Sequence, residues 1–499
     1  MVRRNRSPAM WRRSPVMSPV RWTASSRNIW RVFRHDTERT GRSSQYRAQP
    51  KQRRHPLSEI HSATRAVKDA VAGLAAHASL NLVTELNQQV ALAMAESLDQ
   101  TAEAGRGPLH GVPLIVKANI AVEGMRHDGG CPALADNIAG RDAGVVQRLR
   151  DAGAIPLAMA NLHELAFGTT SANAHFGSVG NPHDPTRMTG GSSGGTAAAI
   201  GAGVFKIGLG TDTGGSGRIP AGFCGCAGLR PTTGRYPGDG ILKLTDTLDT
   251  ISIMAADMAH LARLDAAIMS EPVAGPADAG KIRLAVVADP FWRGINREMT
   301  ALGRRALAKL ADAGVTVVET DMPQIESLTE AAGFPIALHE TERNWQKSAR
   351  ELAGLTLGEF ADRIASPDVR GLYQMMARGE TPGEAAYRAA MDQHRPDLQK
   401  AFAALFAETG ADALIFPTLV RSAPPIDETE MIDLDGESLP LFPTMTRREL
   451  SASIAGLPAL SLPAGQCADK LPFAMELVAP AGTDRDLLAI GRALEPLLN

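Results

Sequence analysis

The sequence has few residues that would staple a fold, coordinate a metal or cross a membrane. Four cysteines, Cys131, Cys224, Cys226 and Cys467, are scattered irregularly over 499 residues. That excludes a scaffold built on disulfides. Cys224 and Cys226 form a C-x-C pair, but no second pair completes a zinc site, so buried free thiols are expected. No uninterrupted apolar run is long enough to span a bilayer. His163 and Glu164 lack the second histidine of a zinc-protease helix. His110, His127, His163, His175 and His183 are dispersed, and none has the context of a catalytic triad. No internal repeat is visible.

The charge is uneven. The net charge is -2, yet residues 1–55 carry 15 Lys and Arg against Asp36 and Glu38. The remaining 37 basic and 52 acidic residues give 56–499 a net charge of -15. An acidic body is a poor match for nonspecific nucleic-acid binding. The basic segment holds Trp11, Trp22 and Trp30 but no continuous apolar stretch of a secretory signal. It reads as a disordered arm, an organellar targeting peptide, or sequence upstream of the true start. A dispensable leader over 1–56 and a catalytic domain over 57–499 are expected.

Short apolar runs alternate with helical patterns, which favours an α/β fold. Helices are expected over 57–103, where Leu74, Ala78, Leu82 and Leu86 recur every four residues and a second helix runs from Glu85 to Leu98. Strands are expected at 112–119, 154–161, 204–212, 281–289, 315–319, 413–418 and 459–465. Helices are expected at 142–152, 196–203, 261–269, 297–313 and 484–497. The range 324–450 is expected to form a helix-rich, substrate-side region.

What stands out is a pair of glycine-rich turns, GGSSGG at 190–195 and GTDTGGSGR at 210–218, with Lys117 at the end of an apolar run upstream. A serine hydroxyl is a weak nucleophile until a base accepts its proton. A lysine kept neutral by burial can be that base. From the residues alone, Lys117 reads equally as a solvated residue at a strand end.

GVPLIVKAN (111–119), GGSSGGTAAA (190–199), GLGTDTGGSGRIPA (208–221) and GLRPTTGR (228–235) occur in this order. Together they resemble the amidase signature family, and weaker similarity runs from about 57 to 498, including IAGLPALSLPAG at 454–465. The resemblance implies a large mixed β-sheet covered by helices on both faces. It implies a Ser–Ser–Lys arrangement with Ser216 as nucleophile, Ser192 as bridging serine after a cis peptide bond, and Lys117 as terminal base. The 24-residue separation of Ser192 and Ser216 agrees with the family pattern. Backbone N–H groups of Thr213, Gly214, Gly215 and Ser216 would form the oxyanion hole. Asp212 and Arg218 would brace the loop as an ion pair, the alternative being two surface charges. Ser193, Thr211 and Thr213 are expected to hydrogen-bond backbone.

Two positions depart from the family pattern. Ala118 stands where an aspartate usually follows the lysine, and Gly217 where a larger apolar residue usually follows the nucleophile. The first removes a charge beside Lys117. The second loosens the loop or opens pocket volume.

Segments 162–185 and 229–250 look most like the indoleacetamide and mandelamide hydrolase branch, whose members cleave primary amides of arylacetic acids. Phe167, Phe176 and Tyr236 are candidates for the pocket wall, though each also suits a core. Rival readings are a ureide hydrolase of the biuret or allophanate type, an aryl acylamidase, an amidotransferase catalytic subunit and a non-catalytic scaffold. A cytoplasmic enzyme acting on a small-molecule amide is expected, with no cofactor, metal, nucleic-acid partner or membrane. Homodimerisation stays open.

Overall fold

A computed structural model of the chain describes residues 62–498. The basic leader and the start of the expected catalytic domain at 57–61 lie outside the described residues. The first helix, α1 (Ala63–Ala76), starts where Ser62 Oγ accepts the Arg65 N–H at 3.2 Å. It buries Ala63, Val67, Ala70 and Leu74 along one stripe. The four-residue rhythm does not carry the helix through Leu82 and Leu86. Asn81 takes a left-handed backbone (φ 52°), and Val83–Leu86 forms strand β1. Helix α2 then covers Gln88–Asp99 rather than beginning at Glu85.

The chain continues through β2 (Pro113–Lys117), α3 (Gly144–Asp151), β3 (Ile155–Ala160), α4 (Gly194–Gly201), β4 (Ile207–Asp212) and α5 (Arg218–Cys224). Next come β5 (Ala227–Arg230), β6 (Thr250–Ala255), α6 (Met258–Met269), β7 (Arg283–Val287), α7 (Arg297–Asp312) and β8 (Thr316–Thr320). Five helices follow: α8 (Ile325–Ala353), α9 (Leu357–Ala361), α10 (Pro367–Ala377), α11 (Glu384–Ala389) and α12 (Arg395–Thr409). The chain ends with β9 (Ala413–Pro417), a hairpin of β10 (Met431–Leu434) and β11 (Glu437–Pro440), α13 (Leu441–Ala455), β12 (Ala459–Gln466), β13 (Pro472–Val478) and α14 (Asp484–Leu498). The range 324–450 is therefore helical to Thr409 and then includes three strands before α13.

Among the described residues, eleven strands form one sheet in the order β1-β3-β2-β4-β6-β5-β12-β13-β9-β7-β8. Pairing is parallel for β3-β2-β4 and for β9-β7-β8. The strands between these blocks pair antiparallel. Side chains alternate across the sheet. On β2, Leu114 and Val116 join a core with α3, α6 and α14, while Ile115 joins another with α1, α2 and α4. Helices thus cover both faces, the mixed α/β architecture expected. Both faces being dry explains why β3, β4 and β6 are buried at every residue.

All four cysteines are buried and free. Among the described residues, no cluster of three or more His, Cys, Asp or Glu has a metal-holding arrangement. No described helix is long and apolar enough to cross a membrane.

Candidate active site

The parallel block places the chemistry. Strand β2 lies between β3 and β4 and ends at Lys117, so its amine sits beside the last residues of β4. Lys117 is completely buried. Its Nζ donates to Ser192 Oγ at 2.7 Å and to Thr211 Oγ1 at 2.8 Å. Asn119 Nδ2 donates to the same Thr211 hydroxyl at 3.1 Å. Burial lowers the Lys117 pKa to about 7, against the opposing fields of Asp212 and Asp249. Ala118 is an apolar core residue, so the negative charge near this lysine comes from those two carboxylates.

Ser192 follows a cis peptide bond from Gly191. Its carbonyl accepts the His163 N–H at 3.1 Å. The next residue links the two turns. Ser193 N–H donates to the Ser216 carbonyl at 3.2 Å, and Ser193 Oγ donates to the Thr211 carbonyl at 3.1 Å. Ser193 thus bonds backbone as expected. The Thr211 and Thr213 hydroxyls instead meet side chains: Lys117 and Asn119 for the first, Asp249 at 2.8 Å for the second.

The turn carrying Ser216 closes around Asp212. Asp212 Oδ1 accepts the Gly215 N–H at 2.8 Å, and Oδ2 accepts the Gly217 N–H at 3.1 Å. Gly215 sits at φ 111°, a conformation open to glycine. Arg218 grips the same carboxylate through Nε at 2.9 Å and Nη2 at 3.0 Å. The pair is fully buried, not a surface contact. Burial alone would raise the Asp212 pKa; the guanidinium groups of Arg218 and Arg230 hold it well below the usual carboxylate range. Arg218 Nη1 also donates to Glu476 Oε1 at 2.5 Å, and Arg230 Nη1 to the Asp212 and Leu248 carbonyls at 2.5 and 2.8 Å. Glu449, also fully buried, has its carboxyl pushed well above the usual carboxylate range by burial.

Gly217 opens no pocket volume. It is buried, and a Cβ there would fall 2.0 Å from Ser252 Oγ and 2.7 Å from Ser252 Cβ on β6.

Ser216 is half-buried and opens, with Thr213 and Gly214, onto a cavity walled by Phe167, Leu244, Leu248, Phe334, Phe442 and Leu450. Among the described residues, no charged side chain lines it. A larger neighbouring cavity shares Phe167, Phe334 and Phe442 and includes His163 and Asp368, paired at 2.9 Å. Of the three aromatic candidates, only Phe167 lines these cavities. Phe176 stands edge-on to His175, ring centroids 4.6 Å apart. Tyr236 is buried elsewhere, its hydroxyl donating to Asp265 of α6 at 2.6 Å. A buried tyrosine needs an acceptor, and the Arg235–Asp265 pair supplies one.

A family profile described as Amidase matches residues 64–488. The chain belongs to the amidase family. It is a hydrolase of amide bonds. An indoleacetamide hydrolase of Agrobacterium vitis is 37% identical over 407 residues, covering 81% of this chain and 87% of that relative. A mandelamide hydrolase of Pseudomonas putida is 37% identical over 448 residues, covering 85% and 86%. Among solved structures, a peptide amidase from Stenotrophomonas maltophilia superposes with a TM-score of 0.74 at 28% identity, covering 89% of this chain and 95% of that one.

Sequence reasoning passed over Asp249, Arg230, Glu449 and Glu476. Arg230 carried a signal, an arginine ending the otherwise apolar strand AGLR. So did Asp249, a carboxylate abutting the apolar strand TISIMA, much as Lys117 ends PLIVK.

Proposed function

We propose that this amidase converts a primary amide of an arylacetic type of acid to the carboxylic acid and ammonia through a Ser216 acyl-enzyme. The observation that carries this reading is the juxtaposition of a buried Lys117, bonded to Ser192, with a Ser216 that opens onto an uncharged aromatic cavity.

Ser216 Oγ attacks the amide carbonyl while its proton passes through Ser192 to Lys117. A 2.7 Å contact serves either direction of donation, and the neutral amine keeps an N–H for Thr211. The oxyanion is assigned to the N–H groups of the turn from Thr213 to Ser216, with that of Gly215 shared with Asp212. Collapse of the tetrahedral intermediate breaks the C–N bond, and the proton returns to the departing ammonia. Water then attacks the ester, which frees the acid and restores Ser216.

The wall argues for the acyl group. Aromatic surface taken from water gains roughly 25 cal/mol per Å². A carboxylate-bearing acyl group or an allophanate would find no cation among the described residues lining this cavity. The relatives named for indoleacetamide and mandelamide point the same way.

Acid and ammonia release from phenylacetamide, indoleacetamide, mandelamide, acetamide and biuret tests the reading. The aromatic amides should exceed acetamide by more than about tenfold in kcat/KM. Biuret or acetamide outperforming every aromatic amide overturns the substrate assignment.

A further inference from the structure

We propose that Asp249 is a positioning residue for this reaction: one half-buried carboxylate ties the oxyanion turn to the wall of the acyl cavity. The inference rests on the Ser216–Ser192–Lys117 reading.

Asp249 immediately precedes β6. Its Oδ1 accepts the Thr213 hydroxyl at 2.8 Å and the Thr245 hydroxyl at 2.9 Å. Its Oδ2 accepts the Leu244 N–H at 2.8 Å. Thr213 opens the nucleophile turn, whereas Leu244 and Thr245 line the cavity at Ser216. The same carboxylate thus joins the group that stabilises the transition state to the surface that receives the acyl group. The wall loop is fastened again from behind. Glu340 of α8 accepts the N–H groups of Asp246 and Thr247, each at 2.9 Å, and Asn344 Nδ2 donates to the Leu244 carbonyl at 3.1 Å. A wall held on both sides leaves the turn little freedom to drift, and small displacements of oxyanion donors are costly in rate.

The charge matters separately. Lys117 feels two carboxylates, Asp212 from β4 and Asp249 from the start of β6, and both favour its protonated form. Asp249 also acts electrostatically on Arg230 of β5 and Tyr373 of α10. Burial raises the Asp249 pKa, opposed by hydrogen bonds from Thr213, Thr245 and the Leu244 backbone. These donors favour the ionised form. Removing that charge leaves Asp212 alone to hold the proton on Lys117.

The experiment compares Asp249→Asn and Thr213→Val with the full-length wild type by pH–rate profiles, circular dichroism and acyl-probe labelling. Asp249→Asn should lose about tenfold or more in kcat, with less change in KM. Its acid limb of kcat/KM should move to lower pH by roughly half a unit or more, because the lysine gives up its proton more easily. Thr213→Val should lower kcat and move the acid limb less than Asp249→Asn does, since it cuts the tie and keeps the carboxyl group. A folded Asp249→Asn enzyme with wild-type kcat and acid limb overturns the proposal. If Asp249→Asn does not fold, Thr213→Val at wild-type kcat overturns it instead. Failure of the underlying reading has its own signature: the probe labels a residue other than Ser216 in the wild type.

Discussion

On the Lys117 side of the site, Lys117, Ser192, Thr211 and Asp212 come from β2, the turn before α4 and the end of β4. Direct hydrogen bonds join Lys117 to Ser192 and Thr211, and Asp212 to Gly215, Gly217 and Arg218. On the cavity side, Phe167, Phe334 and Phe442 come from a loop, α8 and α13, and meet across open space. The first region is directional: a hydrogen bond has one geometry, and a buried charge that loses its partner stays costly. The second is governed by volume and apolar area, which many side chains supply. Substitutions on the first side should therefore remove activity or stability, and those on the second should redirect it.

The largest effect should follow loss of the nucleophile or base. Ser216→Ala should cut kcat by about 10⁴-fold or more with the far-ultraviolet spectrum unchanged. Lys117→Ala should approach that loss, and Lys117→Arg should not rescue it because arginine stays charged. In the wild type, the neutral lysine is the active form, so kcat/KM should rise with pH through about 7. Near-normal turnover of Lys117→Arg at neutral pH would place the base elsewhere.

Next comes the buried brace. Asp212→Ala leaves Arg218 and Arg230 buried without that carboxylate, which should cost about 3–5 kcal/mol in denaturant unfolding. A loss under about 1 kcal/mol, the range of an exposed pair, would erase the contrast between the two regions.

Ala337→Leu tests the cavity side, since Ala337 lines it from α8. It should lower the phenylacetamide-to-acetamide ratio of kcat/KM by about tenfold and leave the fold stable. An equal fall on both substrates would mean that α8 supports the chemistry rather than the acyl group. The smallest effect should come from Tyr236→Phe, which loses one hydrogen bond to Asp265 and about 1 kcal/mol of stability. Its kinetics should match the wild type, and a changed substrate preference would return Tyr236 to the pocket.

The same contrast explains what could be read before folding. β2 and β3 are apolar runs and β4 leads into a glycine-serine turn, so the place of Lys117 at a strand end was legible but its burial was not. β5, β6 and β13 were not anticipated: AGLR is too short for periodicity, and TISIMA and PFAMELV are apolar runs that suit a buried helix as well as a strand. Leu82 and Leu86 kept a helical rhythm across a turn at Asn81, because spacing does not register a left-handed residue. Phe167, Phe176 and Tyr236 had equal claims to the pocket, since aromatic chemistry does not distinguish a cavity wall from a core. Only the fold brings Phe334 and Phe442 beside the first of them. Thr211 was misassigned because its partners, Lys117 and Asn119, belong to another strand and its following turn.

Gly217 and Ser252 have a consequence for how this sequence can change. Gly217→Ala alone sets its new carbon against Ser252 Oγ and Cβ together, so rotating the hydroxyl gives no relief. Only Ser252→Gly vacates the space, and that change gives up a 2.9 Å bond to the Leu229 carbonyl. The two positions are therefore coupled in what each can hold. A larger residue at 217 therefore calls for a change at 252 in β6 as well. Packing against Ser252 is thus reason enough for a glycine here, without its adding anything to catalysis.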